Sequence, residues 1–357
     1  MIELAGSGFT EKAAEYARDW LLNRQGHDYR RYVNLCEQWF RDQMGYRFAL
    51  MTSSCFGALW LAYRAAFILR GLRTVVMPEL TYQATALAVD GSGCRNQVVT
   101  TVDVDPKTWT VAEMHTGGSP IYAPVWLYGN APHWGHIAGA DAIQDCAEAL
   151  GSTRGGFPAG TASWIVCYSF NGSKTVGGGE GGMLCTDDLE VYEYAHMARD
   201  NGRKPDTADI SAQLSGMNWR PNWLGAAAIY ANLERLEELV AKKHTINGWY
   251  REMLAGWEFQ EPTPGCVPCW WLTAVLLPAG SASPESVHVK MLDAQIVTRP
   301  VFKPLGAQLW GLPSGKDTRH QHPVAYSLAA RGLCLPCPHS LMKDEAAYVT
   351  KILKAVC

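Results

Sequence analysis

Two side chains in one stretch of the sequence are placed for covalent chemistry. Lys174 lies in SFNGSKTVGGGEGGM, a few positions after the apolar run Trp164–Phe170, and Asp145 closes the short run Asp141–Asp145. A lysine amine at the carboxyl end of a sheet, partly stripped of water, condenses with aldehydes to form a Schiff base. An aspartate ending a neighbouring strand can pair with a pyridinium nitrogen and keep it protonated, so that the ring withdraws electrons. Taken singly, each residue is more often a surface or ion-pair group. Together with the glycines around Lys174, they point to a planar ligand lying close to the backbone. Gly177, Gly179 and Gly182 also satisfy G-x-G-x-x-G. That dinucleotide fingerprint needs a helix after it, whereas Met183–Thr186 reads as a strand.

The elements that must position these groups alternate along the chain. Thr10 can cap a helix over Glu11–Leu22, and a second helical run reaches Met44. Strand-like runs follow at Phe48–Thr52, Thr74–Pro78, Gln97–Val102 and Ile121–Val125, with helical runs at Gly57–Arg70 and Tyr82–Val89. The expected fold class is therefore α/β, a mostly parallel central sheet with helices on both faces. In such sheets ligands collect at the carboxyl ends of the strands. Ile229, Leu233, Leu236 and Val240 form one apolar stripe, which predicts a single long helix over Leu224–Lys243. The composition turns to Pro and Gly around Gly256–Pro268, so the expected domains are a large one over 1–243 and a smaller α+β C-terminal one over 244–357. The second carries the strand Trp270–Leu277, the segment Arg299–Pro304 and a helix near Glu345–Val356.

Composition excludes several classes. The 357 residues are 48% apolar and 18% charged, below the roughly 25% charged of an average soluble protein. The net charge of −3 gives no support to nucleic acid or an anionic membrane as partner. The amino-terminal residues have no export-signal pattern, and the longest apolar stretch, Gly57–Leu69, contains Arg64 and is too short to span a bilayer. Eleven scattered cysteines read as reduced thiols of a cytoplasmic protein.

The motifs MPELTYQAT, VDVDPKTW, PVWLYGNA, QDCAEALGS, SFNGSK with GEGGM, GMNWRP, LERLEEL, TRPVFKPL and LCLPCP occur in order. In this the chain resembles the DegT/StrS group of sugar-nucleotide aminotransferases, pyridoxal 5'-phosphate (PLP) enzymes of fold type I. The resemblance implies that Lys174 holds PLP as an aldimine and shuttles protons. It implies that Asp145 faces the pyridine nitrogen, Glu148 lies near the ring hydroxyl and Tyr82 stacks on the ring. Ser169 and the helix start at Ser54, Cys55 and Phe56 would hold the phosphate, and Asn218 would reach the phosphate of a neighbouring subunit. Arg220, Arg299 and Lys303 would bind substrate. The activity implied is amino transfer from glutamate or glutamine to a nucleotide-linked keto sugar, in a homodimer with shared active sites. A keto-cyclitol aminotransferase and a catalytically silent PLP-binding regulator are the alternatives.

Three positions depart from the family pattern: Phe56 stands for a threonine, and Trp126 and Gly306 for histidines. The latter two are expected near the substrate pocket. Cys266/Cys269 and Cys334/Cys337 form two C-x-x-C pairs, but their separation and the apolar LCLPCP context argue against zinc, and no metal is expected. His133, His136, His320 and His322 are expected to be solvent-exposed loop residues.

Overall fold

The first helix begins at its cap. The Thr10 hydroxyl accepts a bond from the Ala13 amide at 3.3 Å, and α1 runs Glu11–Asn23. Helix α2 (Arg31–Met44) stops at Gly45, whose φ of 77° closes the last turn. The computed structural model describes residues 1–6, 8–23, 29–94, 96–114, 119–133, 142–205, 207–308 and 318–357; His136 and Asp141 lie outside them. Next come β1 (Phe48–Thr52), α3 (Cys55–Leu69), β2 (Thr74–Pro78), α4 (Ala84–Asp90), β3 (Val98–Val102), β4 (Ile121–Tyr122) and β5 (Ile143–Asp145). A hairpin of β6 (Thr153–Arg154) and β7 (Phe157–Pro158) leads to β8 (Ile165–Ser169), β9 (Gly182–Thr186) and α5 (Leu189–Arg199).

β2 pairs in parallel with both β3 and β4, and β5 pairs in parallel with β8. Parallel bridges at Tyr122–Ala142 and Val125–Asp145 join the two groups. β9 runs antiparallel to its neighbours β8 and β1. The reason is local: no helix separates β8 from β9, and a parallel return would need a crossover. The loop that makes this reversal carries Lys174.

The expected helix over Leu224–Lys243 is two helices, α6 (Trp223–Leu233) and α7 (Leu236–Met253). The chain breaks at Glu234 and Arg235, where Arg235 leaves helical geometry at φ −116°, ψ 21°. Asn222 caps α6 by accepting from the Leu224 and Gly225 amides. The side chains of β8 then show the layering. Ile165 and Cys167 enter a core shared with α3 and α5, while Val166 and Tyr168 enter one shared with α2 and α6. Helices thus cover both faces, as expected.

The remaining strands are β10 (Glu258–Phe259), β11 (Cys266–Val267), β12 (Thr273–Leu276), β13 (Arg299–Pro300) and β14 (Gly332–Leu335). The remaining helices are α8 (Pro284–Asp293), α9 (Pro323–Arg331) and α10 (Lys343–Val356). β10, β12, β14 and β13 form an antiparallel sheet in that order, with its own core. β11 pairs instead with β6. Helix α7 belongs to both cores, with Leu239 in the first and Ile246 and Tyr250 in the second, so residues 243 and 244 lie inside one helix. The amino-terminal residues are sewn onto this second unit. Ile2 bridges Ile296, and the Cys337 and His339 amides donate to the Leu4 and Gly6 carbonyls.

Candidate active site

β5 and β8 end side by side, and their last residues, Asp145 and Ser169, open onto a cavity of about 300 Å³. Lys174 enters from the β8–β9 loop, held by its amide bond to the Asn171 carbonyl at 2.8 Å. Its Nζ lies 3.5 Å from Glu148 Oε1 and 3.6 Å from the centre of the Trp271 ring. Glu148 Oε2 accepts the Tyr128 amide at 2.7 Å. Burial pushes the Glu148 carboxyl up, and Lys174 pulls it part of the way back.

Asp145 is fixed from two sides. Thr85 Oγ1 donates to Oδ2 at 2.7 Å and the Ala147 amide donates to Oδ1 at 3.0 Å. Burial raises its carboxyl, and these bonds and Lys174 oppose the rise. A cation brought against Asp145 would therefore repay the desolvation that the folded chain has already imposed.

The start of α3 forms another side. Ser54 is its N-cap, accepting the Gly57 amide at 3.1 Å, and Ser54, Cys55 and Phe56 all line the cavity. A Cβ at Gly182 would sit 2.5 Å from the Ser54 carbonyl carbon, so only glycine lets β9 approach this turn so closely. Tyr82, half exposed, and Phe302 face each other across the opening at 5.5 Å between ring centres. Arg299 lies over the faces of Trp271 and Phe302, with its Nε and Nη2 buried and lacking an acceptor among the described residues.

These residues fit PLP. An amine, a buried carboxylate placed for a pyridinium, a helix N-terminus with serine hydroxyls for a phosphate and an aromatic wall all meet in one cavity. Lys174, Asp145, Glu148, Tyr82, Ser169, Ser54, Cys55, Phe56 and Arg299 are brought together as the sequence suggests. Asn218, Arg220 and Lys303 do not line this cavity. Arg220 Nε donates to Asn218 Oδ1 at 3.0 Å and lies 3.3 Å from Asp200, while Lys303 is exposed.

Sequence reasoning missed Trp271, Thr85 and Thr81. Thr85 was legible in principle, since Thr81 and Thr85 stand one helical turn apart in PELTYQAT and their hydroxyls meet at 3.1 Å. Three expectations need correction. Trp126 lines a separate opening, its indole donating to Gln144 Oε1 at 2.6 Å, because Gln144 points to the sheet face opposite Asp145. Gly306 is set by packing away from this cavity: a Cβ there would collide with Thr318 Oγ1, and its amide donates to the buried Glu79. His322 is buried, meeting Thr101 Oγ1 at 3.0 Å and lying 3.9 Å from Glu79. His320 is exposed and His133 half-buried. All eleven cysteines are free thiols, and among the described residues no three His, Cys, Asp or Glu side chains cluster as metal ligands.

The sequence model of the DegT/DnrJ/EryC1/StrS aminotransferase family matches residues 9–354. A GDP-perosamine synthase of Escherichia coli O157:H7 is 28% identical over 95% of this chain and 94% of its own length. One of Caulobacter vibrioides is 31% identical over 77% of each. The crystal structure of the sugar aminotransferase CalS13 from Micromonospora echinospora superposes with a TM-score of 0.84 at 22% identity, covering 99% of this chain and all of that one.

Proposed function

Starting from a chain that belongs to the DegT/DnrJ/EryC1/StrS aminotransferase family, and so is a PLP-dependent aminotransferase, we propose that it transfers an amino group from glutamate or glutamine to a nucleotide-linked keto sugar. The observation that carries this reading is the meeting of Lys174, Asp145 and Glu148 on one cavity with Arg299 on its wall. The names of the relatives support a nucleotide-linked sugar as the substrate class.

PLP, when bound, supplies an electron sink for breaking the C–H bond beside the transferred nitrogen. Lys174 would be the covalent anchor and, once released, the base that takes and returns the proton at that carbon. Glu148, 3.5 Å from the Lys174 Nζ, and the Trp271 face, 3.6 Å from it, would restrain the freed amine near the position it holds in the chain. Asp145, its position locked by Thr85, would keep the ring nitrogen protonated. Tyr82 would cover the ring, and Ser54, Ser169 and the first amides of α3 would hold the phosphate. Arg299, with its buried donors, binds the carboxylate of the amino donor.

The reading includes a cytoplasmic homodimer in which Asn218 and Arg220 serve the partner's cavity. Its support is that neither lines the cavity of its own chain, while Ile210, Met217 and Leu224 nearby expose large apolar surface. The test is to incubate the PLP-loaded protein with glutamate and a panel of nucleotide-linked keto sugars. The expected result is 2-oxoglutarate and an amino sugar by mass spectrometry, with borohydride fixing PLP to the Lys174 peptide. PLP fixed at another lysine, or full turnover by Lys174→Ala, overturns the reading.

A further inference from the structure

Lys243 sits in the interior of α7, 1% exposed, where that helix passes from the first core to the second. Its Nζ donates to two backbone carbonyls, Trp271 O at 3.0 Å and Cys337 O at 2.5 Å, and lies 3.8 Å from Cys337 Sγ. Among the described residues no carboxylate pairs with it. A lysine amine buried against carbonyls and a thiol is a costly way to fill a core. Amino transfer as described above makes no use of it.

The strand register explains the two carbonyls. β12 and β14 pair as far as Thr273 and Leu335, and the same register carried two positions farther sets Trp271 opposite Cys337. Neither amide closes that pair. The Trp271 amide donates to the Tyr128 carbonyl at 3.1 Å, and the Cys337 amide donates to the Leu4 carbonyl at 2.7 Å. Both carbonyls need donors from elsewhere, and Lys243 supplies them, with Cys337 Sγ adding a contact to Trp271 O at 3.3 Å. A buried carbonyl that loses such a donor turns to find another, and the strand end turns with it.

That strand end carries a wall of the cofactor cavity. The Trp271 indole N–H donates to the Ser173 carbonyl at 2.7 Å, and its ring centre lies 3.6 Å from Lys174 Nζ. Trp271 thus stands between two lysines, one on its carbonyl and one on its ring. We propose that Lys243 is a positioning residue for amino transfer: by holding the Trp271 carbonyl it sets the indole that seats the Lys174 loop and amine. This rests on the reading of Lys174 as the lysine that anchors PLP, and adds the contact that keeps it in register with the wall from the second unit.

The test compares the parent protein with Lys243→Met, Trp271→Leu and the double variant, each loaded with PLP. Visible circular dichroism reads the orientation of the bound cofactor, stopped-flow absorbance with glutamate reads the limiting rate of the first half-reaction, and a melt reads stability. Lys243→Met weakens the dichroic band and slows the half-reaction by about tenfold, on the order expected of a misplacement under about 1 Å. The double variant is no slower than Trp271→Leu alone, because Lys243 acts through that side chain. Lys243→Gln keeps an N–H donor in the core and falls between the parent and Lys243→Met. A lowered melt with parental band and rate in both Lys243 variants, or losses that multiply in the double variant, overturns the assignment. Borohydride fixing PLP to another lysine of the parent overturns this assignment together with the reading it rests on. PLP fixed at Lys174 with either of the former results overturns this one alone.

Discussion

Asp145 is paid for before any ligand arrives: the chain buries the residue to 5% exposure and gives its carboxylate a threonine hydroxyl and one amide. An isosteric Asp145→Asn keeps the shape and removes the charge that the ring nitrogen needs. Both half-reactions should slow by at least about a hundredfold, a loss of roughly 3 kcal/mol. Stopped-flow absorbance with glutamate measures this, and a melt within a few degrees of the parent confirms that folding is intact. Parental rates in such a variant would remove Asp145 from the mechanism. Lys174 and Asp145 were legible because each follows or closes an apolar strand-like run and glycines flank Lys174. Trp271 was not, because its contact with the Lys174 loop, an indole N–H donated to the Ser173 carbonyl, spans 98 positions. No local pattern announces a wall delivered from so far along the chain.

Among the elements, strands and helices of the sheet were readable because apolar runs and caps agree with the final layers. The break between α6 and α7 was not, because the apolar stripe from Ile229 to Val240 continues across it and only Arg235 changes conformation. The segment around Gly306 shows how elements of the two units are fastened. Gly306 and Thr318 both donate to Glu79 at the end of β2. Gly306→Ala should lower the Tm by roughly 2–8 °C, an overpacking cost, as read by calorimetry. Thr318→Ala in the same chain should return part of that loss by making room. A second fastening joins His339 to the Gly6 carbonyl at 2.7 Å. Burial and the nearby Lys243 bring the His339 imidazole down to about 4. The unfolded chain, with an ordinary histidine near 6.5, binds more protons between those values, so stability is present above about 6.5 and falls as pH drops toward 4. Denaturant melts across that range should show the fall, and His339→Gln should flatten it.

At the scale of the whole molecule, the cofactor cavity and the cluster carrying Asn218 and Arg220 are separate in one chain. If each active site needs two chains, a variant that loses PLP and one that lacks the lysine must complement each other. Asn218→Ala should lose PLP on dialysis more readily than the parent, and Lys174→Ala should be inactive. Mixed after verified subunit exchange, they should recover about a quarter of parental activity, since a mixed dimer has one site with both lesions and one with neither. No recovery, or an active monomer by sedimentation, would overturn the shared site. Linkage adds a second expectation: PLP should tighten the dimer.

The stitching of residues 2–6 onto the far end of the chain has a consequence for synthesis. The bond between Gly6 and His339 joins partners 333 positions apart, so residues 2–6 leave the ribosome long before the residues that hold them. At roughly 5–20 residues per second that wait lasts tens of seconds. Lys174 and Asp145 emerge well before Trp271 and Arg299, the wall that the second unit contributes. The nascent chain therefore presents its lysine in a half-built, open bowl, and a cofactor that arrives early would be roofed over as the second unit folds onto it.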